Sequence, residues 1–371
     1  MKYQPGKVHV ASLAALAAVG VLLLIVAERA KAPAVQPHFA EKSEAAARAE
    51  RALRVIRAER LAAGLPIDPV NDPAQTGLVG LRFSLITTDR GSPEQKLRAL
   101  DPNLAAVFVE LLRDADVRRG DHVALGMTGS FPLLNACAII AVETVGAIPV
   151  IVSSVGASMW GATDPELTWL DMESVLVRER VISHRSIAAS RGGGDDAGRG
   201  LSEEGRALVD AAIARNGVTP IVERTLDAAI RRRMEVYAGA VGDDGYRAYI
   251  NVGGGLASLG SAQVGQLVRP GLTRRLATRH FPRRGVLARM AQRGVPIIHA
   301  PGADALIARY GLSGEIAPTA AVGTGAVFYQ DRYNTPLAGV LAVLYGFLIF
   351  AVVRLDLKHY IFRRPARTEA P

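Results

Sequence analysis

Two uncharged apolar runs bracket the chain. Val8 to Ala27 reads VHVASLAALAAVGVLLLIVA, and Thr335 to Val353 reads TPLAGVLAVLYGFLIFAVV. A helix of that length spans roughly 30 Å, the thickness of a bilayer's hydrocarbon core. Neither run carries the polar stripe of a helix packed on a soluble core, so each predicts a transmembrane helix. At the N-terminus a cleaved signal peptide is the rival reading, since Ala30-Lys31-Ala32 resembles a small-residue cleavage site. The run is longer than a signal core of about 7–15 residues, and Pro33 follows the would-be cut. An uncleaved anchor is favoured.

Between the runs the pattern changes. Residues 40–63 are rich in Ala, Glu and Arg and stop at Gly64, which predicts a helix with a glycine end. Leu53, Ile56 and Leu61 are too few for a broad apolar face, so a juxtamembrane helix or stalk is expected, followed by a PIDPVNDP loop. Strands are then expected at 80–88, His122–Leu125, Ile148–Val152, Arg247–Val252 and Val295–His299. Helices are expected from Asp101-Pro102 to about Ala115, Leu134–Val145, from Asp164-Pro165, from Ser202 to Arg215, Leu226–Ala238 and around 286–293. This alternation predicts an α/β fold, a mostly parallel sheet flanked by helices in a Rossmann-like ectodomain, with one transmembrane helix at each end. The expected division is 1–33 (tail and span 8–27), 34–73 (juxtamembrane helix and linker), 74–333 (α/β domain) and 334–371 (span 335–353 and basic tail).

Charge then orients the molecule. Arg354, Lys358, Arg363, Arg364 and Arg367 follow the second span, against Arg332 just before it. By the positive-inside bias that tail is cytoplasmic. Two spans place the N-terminus with Lys2 and Lys7 on the same side, although Arg29 and Lys31 weaken that signal, and leave the main domain outside the cytoplasmic (inner) membrane. The formal net charge of +9 includes two charges from Lys2 and Lys7, and three from the C-terminal tail after Asp356 and Glu369 are subtracted. The +4 left on residues 28–334 gives no concentrated basic patch, so nucleic acid is not an expected partner. The single cysteine, Cys137, excludes a disulfide scaffold and a cysteine zinc site.

Four loops carry candidate chemistry. HVALGMTGSFPLLN (122–135) runs a strand through Gly126, Thr128, Gly129 and Ser130 into a helix, a context in which close backbone approach and helix amides suit an anion. It is neither a P-loop nor a GxGxxG fingerprint, and it lacks the GxSxG spacing. Ser130 is a candidate nucleophile, or only a helix cap. The stretch after the next strand holds Ser154 and Ser158, with Trp160 either facing a ligand or packing on the core. Asp195 and Asp196 follow three glycines (192–194) and are candidate general bases, oxygen ligands for a divalent cation, or solvated acids of a flexible connector. Asn251, Gly253, Gly254 and Gly255 leave the strand near 250, where they suit either a ligand or close packing. His299 ends a strand and is a candidate acid or base. No metal site of known spacing occurs, and the cofactor is unknown.

GMTGSFPLLN, SSVGASMWGATDPELTWLDME, AASRGGGDDAGRGLSEEGR and YINVGGGLASLGS, in that order over residues 126–261, resemble the poly-γ-glutamate system protein family (PgsW type). The resemblance implies a part in making, exporting or processing poly-γ-glutamate, for a capsule or a released polymer. It brings no catalytic assignment. The expected function is a membrane-anchored component of poly-γ-glutamate synthesis or export, binding the polyanion or other membrane subunits of the system through its Gly-rich loops. An accessory amide hydrolase or transferase acting on γ-glutamyl chains is the alternative. A phosphate-ester-binding enzyme is a weaker one, disfavoured by an outward-facing domain.

Overall fold

The computed structural model describes residues 10–242, 245–313 and 321–354. Lys2, Lys7 and the tail with Lys358, Arg363, Arg364 and Arg367 lie outside the described residues. The chain divides into a unit of residues 36–328 and a second unit formed by the residues on either side of it.

The larger unit is built on seven strands: β1 (His122–Thr128), β2 (Ile148–Ser154), β3 (Ala188–Ser190), β4 (Thr219–Ile221), β5 (Ala248–Val252), β6 (Gly271–Thr273) and β7 (Ile297–Ala300). Their order is β4-β3-β2-β1-β5-β7-β6. All pairings are parallel except that of β6 with β7. The chain therefore enters at the centre, winds outward through β2, β3 and β4, and returns to the other side of β1. Winding reverses between β1 and β5. Ligands of open α/β sheets gather outside the carboxyl ends of strands at such a reversal.

Alternation along the strands supplies both faces. Val123, Leu125 and Met127 join an apolar cluster with the helices Phe39–Ala62, Leu104–Asp114, Pro132–Thr144 and Trp169–Arg178. Ala124, Val150 and Val152 face a second cluster with the helices Leu226–Val241 and Val286–Gln292. The mixed α/β architecture follows directly: a mostly parallel sheet with helices on both sides.

Three expectations are corrected. The 40–63 segment is helical (Phe39–Ala62) but is no stalk, because Ala45, Ala49, Ala52 and Ile56 are fully buried. Small residues at helical spacing let this helix approach its neighbours closely, and Arg48 ties it to Glu143 at 2.5 Å. The strand expected at 80–88 shrinks to Thr87–Asp89, paired with Ala157–Ser158 outside the main sheet. A Cβ on Gly80 would lie 2.0 Å from the Gly161 carbonyl, and the Ser84 amide donates to the Thr87 hydroxyl at 2.9 Å, so the segment turns. The helix expected from Asp164 starts at Trp169, where Thr168 and Asp171 form a reciprocal cap. Asp164 instead accepts from Arg60 at 3.3 Å, and both are buried.

The smaller unit holds the helices Val10–Arg29 and Thr335–Arg354, both long and apolar enough to cross a membrane. An antiparallel ribbon, Ala32–Val35 with Tyr329–Arg332, joins the end of the first to the start of the second. The Tyr345 hydroxyl donates to the Leu16 carbonyl at 3.1 Å, and Gly20 leaves room for that ring.

Candidate functional site

Strand register gathers the four loops at one edge of the sheet. Thr128 lies beside Ser154, and Ser154 beside Ser190. Gly126 lies beside Asn251, and Asn251 beside His299. Residues from four separate stretches thus form two short rows, and three polar clusters grow from them.

The first cluster joins the loops after β1 and β2. The Ser158 amide donates to Ser130 Oγ at 3.1 Å. Lys96, from the short helix Pro93–Arg98, donates to the Ser130 carbonyl at 2.6 Å and to Ser158 Oγ at 2.7 Å. Its ammonium also lies 4.0 Å from the centre of the Phe131 ring. Lys96 is 4% exposed, and burial pulls its pKa down to about 7, with Asp89 acting the other way. Trp160 lines the same cavity, a space of about 10 Å³ that matches one water rather than a carboxylate. Its indole N–H is buried without a hydrogen-bond partner. The ring therefore packs on the core, while the exposed Arg82 guanidinium stands 5.8 Å over it.

The second cluster takes up the triple-glycine loop. Asp196 accepts from Ser190 Oγ at 2.7 Å, Ser154 Oγ at 3.1 Å and Arg233 Nε at 3.0 Å. Both ionic partners are 3% exposed. Asp195 is paired on the surface with Arg199 at 3.0 Å. Both aspartates and Gly192 and Gly193 have positive φ, so the loop is a left-handed coil latched by a buried ion pair. Asp196 is committed to Arg233, and neither aspartate bonds to Ser130.

The third cluster sits at the reversal point. The Asn251 side-chain amide donates to the Gly253 carbonyl at 2.8 Å and to His299 Nδ1 at 3.0 Å. His299 Nδ1 is therefore the acceptor, and the neutral ring carries its proton on Nε2. Burial pushes the His299 pKa down to about 4, with the Gly265 backbone acting the other way. His299 Nε2, Asn251 Oδ1 and Asn135 Oδ1 are buried with unused capacity. Gly253 (φ +83°) is required by Thr128, whose Oγ1 would lie 2.4 Å from an added Cβ. Gly126 makes room in the same way for the Tyr249 hydroxyl, and Gly129 for the Val155 carbonyl.

Burial sorts the candidates. Gly126, Thr128, Gly129, Ser154, Asn251, Gly253 and His299 are interior, whereas Ser130, Ser158, Gly254 and Gly255 reach solvent. The titratable group in contact with the two accessible serines is Lys96, which sequence reasoning missed. A lysine in a six-residue helix 34 positions before Ser130 carries no local signature. Among the described residues, no group of three or more His, Cys, Asp or Glu side chains is placed to hold a metal ion. Comparison with family models, with curated proteins and with solved structures finds no match.

Proposed function

We propose that this chain is a membrane-anchored component of a poly-γ-glutamate synthesis or export system, and that its α/β unit binds the polymer's carboxylates at the carboxyl edge of the sheet. One observation carries this reading. The four stretches that resemble the poly-γ-glutamate family are spread over residues 126–261, yet all emerge on that one edge. The winding is Rossmann-like, and the reversal beside β1 is the natural place for a ligand in such a sheet. The interior polar rows are too enclosed to take a polymer, so they shape the loops. Contact falls to the accessible rim: Ser130, Ser158, Gly254, Gly255 and the outward Arg82. The two apolar helices anchor this unit in the cytoplasmic membrane with both tails inside and the α/β unit outside.

Affinity purification of the full chain from cells that make poly-γ-glutamate tests the reading. Polymer and other membrane subunits of the system are expected to co-purify, and less polymer with Arg82→Glu. Recovery without polymer would contradict it.

A further inference from the structure

The half-buried Ser158 hydroxyl and the buried Lys96 amine meet at 2.7 Å, and nothing in polymer binding requires that contact. We propose that Lys96 and Ser158 form an acyl-transfer pair, with Ser158 Oγ the nucleophile and Lys96 Nζ its general base, acting on a carboxamide carbonyl. Three features of the site support it. The amine is held from two sides, by Ser158 Oγ and by the Ser130 carbonyl at 2.6 Å, which fixes its lone pair or proton on the line to the hydroxyl. Ser158 is itself fixed, because its amide donates to Ser130 Oγ and its strand pairs with Thr87–Asp89. The base sits in an apolar wall that includes Leu100, Phe131 and Trp160, while the nucleophile reaches solvent.

That wall also lowers the charge on the amine at neutral pH. Asp89 is the charged side chain acting against this, and it is exposed. A neutral amine reverses the hydrogen bond, so the hydroxyl donates to Nζ. Ser158 Oγ then attacks the carbonyl carbon as its proton passes to Lys96. The tetrahedral adduct collapses with cleavage of the C–N bond, and the amine leaves with the proton from Lys96. Water attacks the Ser158 ester, losing a proton to Lys96, which returns it to Ser158 as the carboxylic acid departs. The γ-linked amide is the substrate that the proposed function supplies, and in that respect the inference rests on it. The pair itself rests only on these contacts.

The test uses the full chain in detergent and an alkyl fluorophosphonate, in which Ser158 displaces fluoride from phosphorus. Intact-mass and peptide mass spectrometry are expected to show one adduct, on Ser158. Its rate should rise with pH around a midpoint near 7 and vanish in Ser158→Ala. Lys96→Met should slow it by about 100-fold or more, the usual scale of a lost general base. Should Lys96→Met unfold, Lys96→Arg keeps a cation and its donors but no base, and the same loss is expected. No adduct, an adduct on Ser130, or labelling indifferent to Lys96 would overturn the pair. Labelling on Ser158 with no γ-glutamyl product from added polymer would keep the pair and remove its link to the polymer.

Discussion

At the scale of single residues, two buried charges set the character of the edge. Arg233 and Asp196 are enclosed together, so each balances the cost of burying the other. Removing one partner leaves an uncompensated buried ion. Asp196→Ala is expected to lower stability by about 3–5 kcal/mol in denaturant unfolding, and a loss below 1 kcal/mol would show the latch to be dispensable. Lys96 forms no ion pair among the described residues, and its lowered pKa has a definite sign in stability. Between pH 7 and the ordinary lysine range the unfolded chain binds the extra proton, so stability rises with pH across that window. Thermal melts should show this rise in the native chain and a flatter profile in Lys96→Met. From sequence, Asp195 and Asp196 looked like a paired base because spacing reports residue type alone. Their partners, Arg199 and Arg233, lie 4 and 37 positions on, and no pattern marks the second.

At the scale of elements, the long strands and their flanking helices are legible because short apolar runs such as Val123–Leu125 and Ile148–Val152, each followed by a helical period, admit few alternatives. β3, β4 and β6 are not, for each is a three-residue strand with no periodicity to read. The Phe39–Ala62 helix hides its core face for a different reason. Its core face is made of alanines, which are apolar but too small to stand out among Glu and Arg. The glycine loops were located correctly, but most of their glycines answer to packing. Gly253 and Gly254 separate the two causes. Gly253→Ala meets Thr128 and a positive φ, and is expected to destabilise by about 1–3 kcal/mol. Gly254→Ala meets open space and should stay within about 0.5 kcal/mol. Equal costs in calorimetry would contradict this division.

At the scale of the whole molecule, the ribbon between residues 32–35 and 329–332 closes a hairpin of two apolar helices, so Val10 and Arg354 lie at the other end of the pair. Anchoring in the cytoplasmic membrane predicts opposite labelling of cysteines introduced on either side. The native Cys137 is buried and will not interfere. Val70→Cys, in the exposed PIDPVNDP loop, should react with an impermeant maleimide in intact cells, and Arg367→Cys only after permeabilisation. The reverse pattern would place the α/β unit in the cytoplasm and favour the phosphate-ester reading.

Polymer binding at the carboxyl edge is tested most directly by Trp160, which lies under Arg82 at the rim. Purified full-length protein in nanodiscs, titrated with poly-γ-glutamate of defined length, should show a saturable change in tryptophan fluorescence. The change should weaken with added salt, as expected for exposed charges, and be lost in both Arg82→Glu and Trp160→Phe. A fluorescence that stays flat through the titration, or a change that survives both substitutions, would contradict binding at this edge.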